Sequence, residues 1–153
     1  LYNGSHPRDL AWARDQVDDG LADRPDHRGE FDLIAYAAVS VAEEEAAARE
    51  AARPPVAFIA GGAAPPVLDR HGIDAAAAAA IGEHVSAGEF SAAFERVTPA
   101  MIDAFCMAGT PETVRERAES LAEHADGLVV GSPLGPDLEA AIDLAAEAVD
   151  GAF

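Results

Sequence analysis

Three short stretches carry the groups from which a ligand site could be made. Asn3-Gly4-Ser5 offers an amide, a bare backbone and a hydroxyl, which can hydrogen-bond a ring or a phosphate. The same triplet also reads as an ordinary turn into a helix capped by Ser5. Phe58 and Ile59 can form an apolar wall against one face of a planar ring, and Gly61-Gly62 would let backbone approach it closely. Phe58 can equally be a core residue or part of a subunit interface. Gly131-Ser132-Pro133 precedes a helix, whose first peptide N–H groups can hold an anion. Asp137 and Glu139 occupy the first turn of that helix, however, and their charge weakens a phosphate site there. A phosphate is therefore not expected at Gly131 and Ser132.

The titratable residues promise less. His71 stands in DRHGID; with Arg70 it also suits the negative end of a helix that stops at Gly72. Asp69, His71 and Asp74 crowd one helix end and do not have the look of a metal site. His6, His27, His84 and His124 are isolated and expected to be exposed. The single cysteine, Cys106, lies in the apolar run FCMAG and reads as a small buried side chain; it excludes a disulfide framework and a cysteine metal cluster. There is no Ser-His-Asp order and no Gly-rich phosphate motif.

The elements that must position these groups follow from apolar spacing and punctuation. Leu1 to Ser5 is expected to end a strand and turn. His6-Pro7 opens a helix to about Leu21, with Leu10, Ala13, Val17 and Leu21 near helical spacing. Residues 31–41, FDLIAYAAVSV, read as a strand buried on both faces, as in a parallel sheet. Residues 42–53 form a helix that Pro54-Pro55 is expected to interrupt. A helical turn over 67–71 ends at Gly72, Asp74 caps a helix over 75–85, and Gly88 separates it from another over 90–97. Thr98-Pro99 and Thr110-Pro111 are two further helix starts, the first helix being short. Residues 127–132 form a buried strand, and Pro136 opens a last helix with Leu138, Ile142, Ala145 and Val149 on its stripe. Strands separated by helices imply right-handed crossovers and a parallel sheet. So few strands expose two long edges. The chain is therefore expected to be the tail of something larger, with the other strands upstream of Leu1 or supplied by another chain.

Composition narrows the setting. The 153 residues suffice for one domain, but alanine supplies most of the apolar half and only 6% are aromatic, so the core is built from small side chains. The net charge is −18, and all 10 basic residues are arginine. The carboxylates are spread along helices rather than gathered in a binding tail. This suits a halophilic archaeon, because at 1 M salt the Debye length is about 3 Å and self-repulsion is screened; a GC-rich gene gives the same pattern. Such a surface argues against nucleic acid. No apolar run reaches the roughly 18–20 residues needed to cross a bilayer, and a cytoplasmic protein without membrane contact is expected.

Four segments carry a family resemblance: AREAARPPVAFIAGG, PPVLDRHGID, AGTPETV and ADGLVVGSPLGP. Together they resemble the C-terminal third of the deazaflavin-dependent methylenetetrahydromethanopterin reductases, within the bacterial-luciferase-like superfamily. The resemblance runs from Leu1 to Val149. AGTPE before a strand is shared across the superfamily, whereas LDRHGID with GSPLGP points to the reductase branch. It implies an α/β fold, the C-terminal portion of a (β/α)8 TIM barrel with a mostly helical insertion after strand seven. Residues 1–153 would be the C-terminal part of a single barrel domain whose N-terminal part is absent.

The activity so implied is hydride transfer between reduced coenzyme F420 and the methylene group of a tetrahydropterin C1 carrier, of methanopterin or folate type. The protein supplies orientation and a dry pocket. Barrel sites lie at the C-terminal ends of strands. That places Asn3, Gly4, Ser5, Phe58, Ile59, Gly61, Gly131 and Ser132 as cofactor-binding candidates. The family's acidic catalytic residues and main phosphate contacts would belong to the absent half, so the chain alone is expected to be inactive. A homo-oligomer is expected at full length. One alternative is an FMN-dependent luciferase-like monooxygenase. Another, of a different class, is a helical interaction module whose two strands make a small dimeric sheet.

Overall fold

The computed structural model describes residues 2–153, so Leu1 lies outside the described residues. The elements run β1 (Tyr2–Asn3), α1 (Pro7–Ala22), β2 (Ile34–Val41), α2 (Glu45–Gly62), α3 (Pro65–His71), α4 (Ala75–Ala87), α5 (Phe90–Glu95), α6 (Pro99–Phe105), β3 (Met107–Gly109), α7 (Pro111–Ala122), β4 (Gly127–Leu134) and α8 (Leu138–Val149).

Strand β2 is the spine of a parallel sheet. β4 pairs along it from Ile34↔Gly127 to Ala38↔Gly131, and again at Ser40↔Leu134 after a register shift. β1 pairs at Ala35 and Tyr36, and β3 at Val39 to Val41. Because β4 holds one edge over that length, β1 and β3 share the other, one beyond the other. The apolar runs at 31–41 and 127–132 are thus neighbours, as a parallel arrangement requires. Residues 31–33 stay outside the ladder, and at Leu33 Asp126 takes over the backbone. Its carboxylate accepts from the Leu33 N–H at 2.7 Å, and its own N–H donates to the Leu33 carbonyl.

Two cores flank this sheet. Ala35, Ala37, Val39 and Val41 alternate along β2 and pack on Leu10 of α1, Val114 and Leu121 of α7, and Ala141, Ala145 and Ala148 of α8. On the opposite face Ala38 joins the core of the insertion α2–α6, with Val56, Ala60, Leu68, Ile81 and Phe105. The Ser40 hydroxyl donates to the Ala48 carbonyl at 2.6 Å, tying α2 to the same face.

Three features depart from the sequence expectation. Helix α2 runs through Pro54-Pro55 for 18 residues. An interior proline costs about 3 kcal/mol, but Ala48, Ala52, Val56, Ala57 and Ala60 form one buried stripe on both sides of the pair, and that burial offsets it. Strand β3 is too short for any periodicity to mark it; its three residues are all buried. Just before it Cys106 is 1% exposed, and burial pushes its thiol up to about 12. The last helix begins at Leu138, two residues later than Pro136 suggests, with Asp137 accepting from the Ala140 N–H.

Candidate functional site

A cavity of about 350 Å³ opens where the end of β1 meets the insertion. Its floor is Asn3, Gly4 and Ser5, and its sides are Asp9 from α1, Phe58, Ile59, Gly62 and Ala63 from α2, Val67 from α3, and Ala104 and Phe105 from α6. Two of the three stretches singled out by residue type therefore converge on one space, although they lie far apart in sequence.

The floor is held from three directions. The Gly4 N–H donates to the Tyr36 carbonyl at 3.0 Å. The Ser5 hydroxyl accepts from the Ala38 N–H at 2.9 Å and is 4% exposed. The Ser5 carbonyl accepts from the Arg117 guanidinium at 3.2 Å, and the same guanidinium group reaches the Asp103 carbonyl at 2.6 Å. Arg117 thus ties β1, α6 and α7 together, and its buried Nε has no partner among the described residues. Ser5 does not cap α1. That role falls to His6, whose Nδ1 accepts from the Arg8 N–H at 3.1 Å. Since Nδ1 is an acceptor there, the ring proton sits on Nε2. Burial, with the Arg117 and His71 charges, lowers His6 from 6.5 to about 4, so the ring is neutral near pH 7.

The wall is apolar and only partly covered. Phe58 is 51% exposed, which removes the reading of it as a core residue. It stands beside Phe90 and Phe94 at centroid distances of 5.8 and 6.3 Å. Of the glycine pair, Gly62 lines the cavity and Gly61 does not. Gly61 faces α4 instead: a Cβ there would lie 2.8 Å from the Gly82 Cα, so the two helices cross at backbone contact.

Gly131 and Ser132 lie apart from this cavity, on β4 across β2 from β1. Tyr36 stands over Gly131, where a Cβ would meet the ring at 2.7 Å. Ser132 is exposed, and its bond to Pro133 is cis.

Five residues were missed or misread at the level of sequence: Asp9, Arg70, His71, His6 and His84. Arg70 and His71 do not merely cap α3. They converge on Asp9, a carboxylate with 6% exposure: Arg70 bonds Oδ1, and His71 Nε2 lies 2.8 Å from Oδ2. Trp12 covers the Arg70 guanidinium at 4.9 Å. The buried His71 ring meets His6 at 4.7 Å and Phe105 at 5.9 Å, so His6 is not isolated either. His84 is likewise engaged, with Glu89 at 2.6 Å and Arg96 at 2.9 Å. One sequence signal did exist: Asp9 precedes Ala13 by four residues and so shares the buried stripe of α1.

Among the described residues no group of histidine, cysteine or carboxylate side chains is arranged to hold a metal, and no helix is long and apolar enough to cross a membrane. The site can therefore offer an apolar face, exposed backbone at two glycines, and the Asn3 amide. That combination binds the face and polar rim of a flat ring.

The family described as luciferase-like monooxygenase matches residues 1–129. The chain is 40% identical over 149 residues to 5,10-methylenetetrahydromethanopterin reductase of Archaeoglobus fulgidus, covering 94% of this chain and 45% of that protein. It is 39% identical to the reductase of the same name from Methanopyrus kandleri, covering 97% and 43%. The solved structure of the coenzyme F420 dependent tetrahydromethanopterin reductase from Methanopyrus kandleri overlays with a TM-score of 0.86 at 38% identity, covering 95% of this chain and 42% of that one. The chain spans somewhat less than half the length of these relatives. Its sheet and insertion have the luciferase-like α/β fold.

Proposed function

The chain belongs to the luciferase-like monooxygenase family, and from that premise we propose that its protein transfers a hydride between reduced coenzyme F420 and a methylene-tetrahydropterin carrier. The observation that carries this is the insertion. The match to the reductases covers 94% or more of the chain and so takes in α2–α6, the part that builds the cavity wall. In this reading residues 1–153 are the C-terminal part of one barrel domain.

The residues present fit the ring of such a cofactor. A deazaflavin is flat and apolar on its faces with polar atoms at its rim. Phe58, Ile59 and Phe105 supply a face, and the Asn3 amide with the Gly4 carbonyl supplies hydrogen-bonding groups at the rim, the Gly4 N–H being held by Tyr36. Gly62 leaves room for close approach. Asp9 is already held by a guanidinium and an imidazole, so it is not free to act as an acid or base toward a ligand. When bound, the cofactor would supply the hydride; the chain's own contribution is to orient the ring and exclude water. Gly131 lies buried under the Tyr36 ring and Ser132 is exposed away from the cavity, so neither is given a contact to the cofactor ring.

The test is a pair of titrations on the full-length protein. Reduced F420 and FMN are added separately, and binding is followed by fluorescence. The F420 complex is then mixed with methylene-tetrahydromethanopterin or methylene-tetrahydrofolate. The expected result is tight F420 binding and oxidation of the cofactor only when a carrier is present. Tight FMN binding with no deazaflavin response would overturn the proposal in favour of a flavin monooxygenase.

A further inference from the structure

Asp9 is the one carboxylate on the cavity wall among the described residues, and both its oxygens are taken. Its partners, Arg70 and His71, come from α3, 61 and 62 positions further along the chain. The side chains of Asp9 and His71 are 6% and 4% exposed. A buried carboxylate with two directional partners is stabilising only while the geometry holds, so the cluster fixes where α3 sits relative to α1.

Little else fixes it. α3 has seven residues, and besides His71 itself Leu68 is its one buried side chain. Yet α3 and its flanks bear on the site. Val67 and Ala63 line the cavity, and the His71 ring abuts Phe105, another wall residue. We propose that Asp9 is a positioning residue: with Arg70 and His71 it latches the insertion to α1 and so sets the gap between the end of β1 and the wall carrying Phe58 and Phe105. The proposal rests on the reading of this cavity as the ring site.

The test uses the full-length protein with Asp9→Asn and the double variant Asp9→Asn/Arg70→Gln. The single variant leaves a cation unpaired in a mostly buried place, so both stability and binding should fall. The double variant removes that cation, and its melting temperature should return toward wild type. Affinity for reduced F420 should remain about tenfold weaker in both, a factor equal to about 1.4 kcal/mol. Amide exchange across residues 65–71 should be faster in both. Affinity restored together with the melting temperature in the double variant would overturn the latch, because the cluster would then be only structural. So would unchanged affinity in Asp9→Asn. Failure of the functional reading looks different: the wild type itself would ignore the deazaflavin and bind FMN. The same variants titrated with FMN then decide the latch on its own terms.

Discussion

The two sides of β2 are built from different residues and meet different neighbours. Toward α1, α7 and α8 it presents Ala35, Ala37, Val39 and Val41, none more than 1% exposed. Toward the other side it presents Ile34, Tyr36, Ala38 and Ser40. The insertion buries the last two, whereas Ile34 and Tyr36 stay half-covered and Val129, beside them on β4, is 41% exposed. On the closed side the requirements are volume and apolarity, and alanines let the helices sit close. On the open side the residues are individual. Tyr36 needs the absent side chain of Gly131, Ser40 needs the Ala48 carbonyl, and Ala38 gives its N–H to the hydroxyl that holds the cavity floor. The side that stabilises the sheet and the side that forms the site are thus separate, and substitutions should sort by side.

The sharpest break of that comparison is a pair of truncations measured by denaturant unfolding of the full-length protein. Leu121→Ala removes a fully buried side chain from the closed side and is expected to lower stability by about 2–5 kcal/mol. Val129→Ala on the open side, where the residue is 41% exposed within this chain, is expected to cost less than Leu121→Ala, because only the remaining strands of the barrel can cover it. Equal losses would show that the rest of the protein covers the inner face as fully as the helices cover the outer one.

A second pair sits on adjacent residues. Gly61→Ala places a methyl 2.8 Å from the Gly82 Cα, and two backbones cannot yield cheaply. A loss of about 1–3 kcal/mol is expected from overpacking. Gly62→Ala meets nothing within 4 Å and gains helix propensity, so stability should rise by about 0.5–1 kcal/mol. Its methyl borders the cavity, however, so cofactor affinity should fall while stability rises. Melting curves with and without F420 separate the two effects; a stable Gly61→Ala variant would mean that α2 and α4 can slide apart.

This glycine pair also marks how far sequence reasoning reaches. Local chemistry was readable. Asp74, Thr98 and Thr110 each accept the backbone N–H expected of a cap, and Gly72 and Gly88 each close a helix in the left-handed region. The two long strands were readable as apolar runs with turn signals at both ends, but the burial expected of 127–132 is not found: within this chain Gly131 alone is buried there. What escaped depends on partners distant in the chain. Nothing near Pro54-Pro55 announces that the stripe of α2 will be buried on both sides of them. Nothing near Gly61 tells it from Gly62 until α4 is in place. Asp9 looked like one of many helix carboxylates, since Arg70 and His71 reach it only through the fold. The candidate site was accordingly readable as two separate stretches, but its closing cluster was not.

A further expected effect is a pH dependence at the helix that leads away from the cavity floor. His6 titrates near 4 in the folded protein, against an ordinary value near 6.5. The fold therefore favours the neutral ring, and the unfolded chain binds the extra proton first. Stability from this group is fully present above about 6.5 and is lost progressively as pH falls toward 4. The groups around it are Arg117, His71, Asp9 and Arg8; only Asp9 favours the charged form. His6→Asn keeps a side chain that can accept from the Arg8 N–H, so the cap survives while the titration disappears. Near pH 7 the variant should lie within about 1 kcal/mol of wild type, since one cap replaces another. Between pH 7 and 5 the wild type should lose more stability than the variant, which guanidinium melts at the two pH values would register. Parallel losses would mean that the ring is free to take its proton in the folded state, and that the packing of His6 on His71 is looser than the 4.7 Å contact implies.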